Sequence, residues 1–288
     1  MENGVLKSMI NKIKWNQIAV GNYTYPLYSF EYFLESMLRL GVNNIEVWAA
    51  GPHLYLEDMT LQMLKKMDKG IRTRGLHAIC LTPEQCMYPI NIGSEDNRTR
   101  KRSIAYFEKG LHAADVLGID RMIVTPGDGY RDKDSEETRK YTVESLRYLA
   151  GKAEKYGVTL LLEHLTEETT NLATRAKELE KLCEETECDN IIGMADTDMM
   201  SRYGETIKDY AETLQGGIGH VHLVDGMPGG HLAYGDGVLP LERFLQELAD
   251  INYGEYISME IISDRYHLNP ESAIKRSLGW LEMHIGKR

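Results

Sequence analysis

The feature that most constrains this chain is a repeated alternation. Eight short runs rich in apolar and β-branched residues are each followed by a longer stretch with helical periodicity. The runs are 16–21, 43–50, 76–83, 120–126, 158–165, 190–196, 219–226 and 256–262. The helical stretches are 29–41, 58–74, 97–118, 135–156, 173–186, 204–214, 240–250 and 270–285. Gly41, Gly75, Gly118 and Gly157 each stand just before the next run, where a left-handed residue ends a helix at no steric cost. Asn269-Pro270 and Ser94–Asp96 read as helix starts. Eight strand–helix units in 288 residues predict an α/β fold with a closed parallel sheet, the (β/α)8 or TIM barrel. An open doubly wound sheet is the alternative. It loses ground because no G-x-G-x-x-G turn follows the first run, and the Gly-Asp-Gly stretches at 127–129 and 235–237 have another spacing. No linker or charge block divides the chain, so residues 1–288 read as one domain, with 1–14 as an N-terminal extension packed on the barrel.

A barrel of this kind gathers its chemistry where strands end. The second run carries Glu46 and Trp48, and the third leads into Thr82-Pro83-Glu84. The fifth to eighth runs carry Glu163, Asp196, His222 and Glu260, spaced 33, 26 and 38 residues apart. Each interval is about one strand–helix unit, so the four occupy equivalent places on consecutive strands. Alternation sets their direction. If Leu160, Leu162, Val221, Leu223, Met259 and Ile261 face the helices, then Glu163, Asp196, His222 and Glu260 face the barrel axis. Three carboxylates brought together repel one another and lose hydration, so they need protons or a cation. Three oxygens and one imidazole suit one divalent ion of the Mn2+, Mg2+ or Co2+ kind better than a thiolate-preferring metal. Taken singly, each of these carboxylates reads as well as a cap or a salt-bridge partner. The constellation is what raises the metal reading.

The stretch Gly219–Gly226, GHVHLVDG, holds two histidines two residues apart. They share a face but not a layer. His222 is level with the three carboxylates, and His220 lies about 6–7 Å lower along the strand. His222 is therefore the ligand, and His220 fills the barrel interior or supports the site by a hydrogen bond. Asp225 reads as a residue that supports the ligands or caps the loop, not as a ligand itself. His164, next to Glu163, points away from the axis.

Composition narrows the partners. The formal charge is −11, and a surface built for a nucleic-acid backbone shows a basic excess, so nucleic acid is not expected. Cys80, Cys86, Cys183 and Cys188 form no CxxC pair and read as reduced structural thiols. The N-terminal stretch lacks the apolar core of a secretory signal, and no apolar run approaches a membrane span, so a cytoplasmic protein without membrane contact is expected.

Several stretches together resemble the xylose-isomerase-like TIM-barrel superfamily of sugar isomerases and epimerases. They are GVNNIEVWAAGPHLY, LTPEQCMYPINI, LLLEHLTEETTN, HVHLVDG, YGDGVLPLERFLQEL and INYGEYISMEI. The resemblance runs from about residue 16 to 285 and is strongest to the group of fructoselysine, D-tagatose and D-psicose 3-epimerases. It implies a metal-dependent isomerase acting on a ketose or a ketosamine. It implies one divalent ion, usually Mn2+ with Zn2+ among the alternatives, held by Glu163, Asp196, His222 and Glu260. It implies inversion at C3, with Glu163 and Glu260 as the acid–base pair and a metal-stabilised enediolate between them. It further implies substrate contacts from Trp48, His53, Tyr88, Asn91, Thr169 and His231, and a homodimer or homotetramer; Glu46 faces inward and reads as a further substrate contact, as a group that orients a neighbour, or as a buried paired acid. The sequence departs from the free-hexulose branch at three places. Met199 and Pro228 stand where that branch has a His and an Arg, and Thr169, beside Glu168, stands where it has a Glu. The first two departures favour the fructoselysine branch. A lyase of the inosose dehydratase type, a relative of endonuclease IV, and a non-catalytic sugar-binding barrel are the competing readings. The single ligand set and the acidic charge count against the second of these.

Overall fold

A computed structural model describes Ile10 and residues 12–287. The strands are β1 (Ile18–Gly21), β2 (Asn44–Ala49), β3 (His77–Pro83), β4 (Arg121–Val124), β5 (Thr159–Leu162), β6 (Ile191–Gly193), β7 (Ala195–Asp196), β8 (Val221–His222) and β9 (Ile257–Met259). The helices are α1 (Phe30–Arg39), α2 (Leu61–Arg72), α3 (Asn97–Leu117), α4 (Glu136–Ala153), α5 (Ala176–Thr186), α6 (Thr197–Arg202), α7 (Ile207–Thr213), α8 (Leu241–Asp250) and α9 (Pro270–Ile285). All strand pairings are parallel, in the order β6-β5-β4-β3-β2-β1-β9-β8-β7. The sheet is the predicted TIM barrel.

The sixth predicted run, 190–196, is split into β6 and β7 around Met194. The Met194 N–H reaches back to Leu162 O at 3.0 Å, while the Ala195 N–H reaches forward to His220 O at 3.1 Å. Gly219 N–H to Gly193 O, at 2.9 Å, carries the ladder across the gap. One strand therefore serves both neighbours in turn, and the ring closes there. The seventh run is shorter than its eight residues suggest. The strand itself is Val221–His222, with the Leu223 N–H still bonded to Ser258 O at 3.0 Å; beyond it Asp225 accepts N–H groups from Gly226, Gly235, Gly237 and Leu239 and ties down the loop. That is the capping role read for Asp225. Helix α6 was not expected. It begins because the Asp196 carboxylate accepts the Met199 N–H at 2.8 Å, an ordinary N-cap.

Local chemistry accounts for the helices. Ser29, Thr60 and Asp96 accept from the backbone three residues on and start α1, α2 and α3. Gly118, with φ of 66°, ends α3 in the left-handed region. Helix α8 buries Leu241, Phe244, Leu245, Leu248 and Ala249, the spacing of one apolar stripe. These stripes pack on the outer face of the sheet, against Leu160, Leu162, Val221, Leu223, Met259 and Ile261. Ala19, Ile79, Cys80, Ile123, Leu161 and Met194 form a separate cluster inside the barrel. The alternation read from sequence thus holds: Leu161 and Met194 point inward, two residues below Glu163 and Asp196. Of the N-terminal extension, Ile10 and Ile13 are buried in the core, while residues 1–9 and 11 lie outside the described residues. The four cysteines are free thiols. Among the described residues no helix is long and apolar enough to cross a membrane.

Candidate metal centre

Each member of the predicted quartet sits at a strand end. Glu163 follows β5, its N–H bonded to Val124 O at 2.9 Å. Asp196 ends β7, His222 ends β8, and Glu260 follows β9. All four are buried, and one ligand atom from each lies within 4.8 Å of the others. His222 Nδ1 is 3.2 Å from Glu163 Oε1, 3.0 Å from Glu260 Oε2 and 3.8 Å from Asp196 Oδ2. His231 adds a fifth group, with Nε2 3.3 Å from Glu260 Oε2 and 3.6 Å from Asp196 Oδ2. Its backbone takes a φ of 44°, unusual for a histidine.

The fit to a cation rests on unsatisfied atoms. Glu163 Oε1, Asp196 Oδ2, His222 Nδ1, Glu260 Oε2 and His231 Nε2 are buried and make no hydrogen bond. Buried polar atoms without partners are costly, and five converging on one place call for an occupant. Burial, with Glu260 and Asp196 adding to it, pushes the Glu163 carboxyl up to about 7. Burial works against charge on Asp196 as well, but His231 and His222 outweigh it and hold that carboxyl at about 2. Glu260 is held below its usual range against burial, first by the charge of His222. Burial disfavours the imidazolium of His222, yet Glu260 and Glu46 together hold it well above the ordinary histidine value. Protons on imidazole are thus one way to balance this cluster. A divalent ion on three carboxylate oxygens and one imidazole is the other, and the donor set fits it.

The two solutions exclude each other at His222, because a metal needs the Nδ1 lone pair. Loading the protein with Mn2+ at pH 7 is therefore expected to release protons, and affinity should fall as pH is lowered through 7, where Glu163 and His222 hold their protons more tightly. Calorimetry in buffers of different ionisation enthalpy measures this. Binding with no proton release would contradict the assignment.

Below the cluster, Glu46 is fully buried and uses both oxygens. Oε1 accepts from the hydroxyls of Tyr23 and Thr82, each at 2.6 Å, and lies 3.1 Å from His222 Nε2. Oε2 lies 3.0 Å from His220 Nε2. Glu46 thereby holds the His222 proton on Nε2 and turns the Nδ1 lone pair toward the carboxylates. Of the readings of Glu46, this geometry favours the group that orients a neighbour over a substrate contact, because both its oxygens are engaged by protein in the layer below the quartet. His220 lies in that lower layer as expected, its ring 5.4 Å from that of His222 and its Nε2 also 3.0 Å from Ser258 Oγ. His164 points outward against Tyr210, with ring centroids 5.1 Å apart.

Above the cluster opens a cavity of about 480 Å³. Glu163, Glu260 and His231 form its floor, and Trp48, Met199 and Leu165 are among its walls. Trp48 stacks on Tyr23 at 5.3 Å and donates its indole N–H to Glu84 Oε2 at 2.9 Å. His53 is not there. Its Nδ1 accepts from Asn22 at 2.8 Å and its Nε2 donates to Tyr28 O at 2.8 Å, so both nitrogens are taken by protein, and it faces a separate cavity between α1 and α2. This removes His53 from the expected substrate contacts. Tyr88, Asn91 and Thr169 line an adjoining cavity instead of this one. Asn91 staples the loop after β4: its Oδ1 accepts from Gly93 and Asp128, and its Nδ2 donates to Asp128 O. Gly127 lies beneath that staple at a φ of 75°, where a Cβ would meet Asn91 Oδ1 at 2.6 Å. Sequence reasoning missed Gln85, Cys86, Thr125, Ile262 and His267 as cavity walls. For Gln85, Cys86, Thr125 and Ile262, a position just past a strand end was the available signal.

Comparison with known proteins places the chain in one family. A family model described as "Xylose isomerase-like TIM barrel" matches residues 34–284. Fructoselysine 3-epimerase of Escherichia coli O157:H7 is 23% identical over 254 residues, covering 87% of this chain and 91% of the relative. D-psicose 3-epimerase of Ruminiclostridium cellulolyticum is 27% identical over 242 residues, covering 80% and 78%. The crystal structure of a D-psicose 3-epimerase, determined in the presence of D-fructose, superposes with a TM-score of 0.78 at 21% identity, covering 94% of this chain and 100% of the other.

Proposed function

The chain belongs to the xylose isomerase-like TIM-barrel family and is an isomerase-type enzyme, and from that premise we propose that it inverts C3 of an unphosphorylated ketose or ketosamine. The observation that carries the reading is the pair Glu163 and Glu260. Their free oxygens lie 3.2 and 3.0 Å from the same His222 nitrogen, and both residues line one cavity. Two carboxylates reaching a bound sugar from different strands can address opposite faces of one carbon.

Glu163 takes the C3 proton from one face. Glu260 returns a proton to the other face, and the reverse reaction exchanges the roles. Asp196 and His222 complete the ligand set for a divalent ion, for which Mn2+ is the proposal. When bound, that ion supplies Lewis-acid polarisation of the neighbouring carbonyl and stabilises the charge left as the proton departs. Trp48 and Leu165 give the cavity apolar walls. No Lys or Arg is among the residues lining this cavity, which supports a substrate without phosphate. A cytoplasmic enzyme acting as a homodimer or homotetramer, without nucleic-acid or membrane partners, completes the proposal.

Turnover of a ketose in D2O by the Mn2+-loaded protein tests the reaction. Deuterium is expected at C3 in both epimers, with no loss of water. A dehydrated product would instead assign the chain to a lyase. Removal of the ion by a chelator is expected to stop the exchange, and Mn2+ to restore it.

A further inference from the structure

We propose that the mouth of the metal cavity takes an uncharged apolar substituent carried by the sugar, an aryl or branched alkyl group, which supplies binding that the sugar hydroxyls do not. The inference rests on the epimerase reading above and goes beyond it, because neither a free ketose nor the charged end of a lysine conjugate offers such a group.

Most polar side chains around the cavity are already engaged by protein. Tyr23 and Thr82 both donate their hydroxyls to Glu46. Glu84 accepts the Trp48 indole N–H at 2.9 Å on one oxygen and the Met87 N–H at 2.7 Å on the other. Gln85 Oε1 accepts both the N–H and the hydroxyl of Thr125, and its Nε2 donates to Pro83 O. His267 Nε2 lies 3.1 Å from Ile262 O. Among the described residues that line the cavity outside the quartet, His231 alone presents a buried side-chain nitrogen or oxygen without a partner. A hexulose carries a hydroxyl on every carbon past C3, and burying those without partners is costly.

Toward solvent the lining turns apolar. Met87 and Ile262 line the cavity and are 67% and 41% exposed. Leu27, 63% exposed, follows the lining Pro26, and Leu268, 82% exposed, follows the lining His267. The loops that carry three of these four are tied together. The Thr24 hydroxyl donates to Ile261 O at 2.7 Å, and the Tyr28 hydroxyl to Leu268 O at 2.8 Å. This side of the rim is therefore formed before a ligand arrives, which lowers the ordering cost of binding. Single exposed apolar residues are ordinary, but several around one opening mark a contact surface. Met87 and Ile262 belong to cavity and rim alike, so whatever covers the rim is continuous with the molecule over the quartet. That favours a substituent of the substrate over a separate partner. A charged substituent finds no lysine or arginine among the lining residues.

Calorimetric titration of the Mn2+-loaded protein tests the assignment, with D-fructose, its 1-O-benzyl and 6-O-benzyl ethers, and the two matching 4-carboxybenzyl ethers. One benzyl ether is expected to bind at least about tenfold more tightly than D-fructose, the scale of taking an aromatic ring out of water. Its carboxybenzyl counterpart should lose most of that gain. The double variant Met87→Gln, Leu268→Asn should lower the benzyl-to-fructose ratio by about threefold or more. Both side chains are exposed, and a thermal melt checks that the variant is folded. Benzyl ethers that bind no better than D-fructose, a carboxybenzyl ether that binds as well as the benzyl one, or a ratio unmoved by the double variant each overturn the proposal. Sedimentation covers the other occupant: a dimer that the double variant dissociates, with no benzyl preference, gives the rim to a second copy of the chain and overturns it too. Deuterium exchange at C3 without a benzyl preference refutes the rim assignment alone. A benzyl preference without any C3 exchange refutes the reaction and leaves the rim assignment standing.

Discussion

Glu163→Gln and Glu260→Gln are each expected to lower kcat by about 10²- to 10⁴-fold, the contribution of a positioned acid–base group. Glutamine keeps the shape and one carbonyl oxygen toward the ion, but it cannot carry a proton between C3 and water. Metal content is measured alongside, so that loss of chemistry is separated from loss of the ion. The two variants should also differ in kind. With Glu260 replaced, Glu163 still reaches one face of C3, so one epimer should exchange its C3 proton with D2O without inverting. With Glu163 replaced, the other epimer should do so. This split follows from carboxylates on separate strands, β5 and β9, meeting at one floor. Undiminished inversion in both metal-loaded variants would sink the two-base mechanism.

The second large effect is expected at a residue that never touches the sugar. Glu46→Gln should weaken Mn2+ binding by about 10- to 100-fold, the usual consequence of losing the partner that orients a metal-bound histidine. It should also cost the metal-free protein about 3–5 kcal/mol, because it removes the charge that buried imidazoles are paired with. The cause is visible in the donors that converge on this side chain: Tyr23, Thr82, His220 and His222. An amide offers one oxygen to a site that uses two, and its NH2 group meets N–H and O–H donors. Glu46→Asp, which retains the charge, should recover part of the affinity. A metal titration and a thermal melt together decide the matter; Mn2+ affinity unaltered in Glu46→Gln would show that His222 needs no partner on Nε2.

Much of the architecture was legible because it depends on local patterns. Strand–helix alternation, glycine stops and the helix start read at Ser94–Asp96 act over a few residues. The quartet was legible for a related reason. In a parallel barrel, equivalent positions on successive strands recur once per unit, and the two-residue alternation decides which face a side chain takes. His220 and His222 could be separated into layers on that ground alone. Departures occur where long-range partners decide. The split at Met194 reflects hydrogen bonds to strands about 30 residues away on either side. His53 was read as facing substrate because it follows β2, but Asn22 and Tyr28 turn it to another cavity.

By itself, the sequence determined that eight strand–helix units close into a barrel and that Glu163, Asp196, His222 and Glu260 share its axis. Both conclusions need only the repeat length and the alternation of side chains along a strand. Tertiary structure alone decided which histidine Glu46 braces beneath the quartet, that His231 joins the cluster from a loop, and that two cavities share Gln85 as a wall. Those facts depend on where loops of unequal length return and on which polar atoms find partners when they do. A hydrogen bond between Glu46 and His222 spans 176 residues, and no local pattern encodes it.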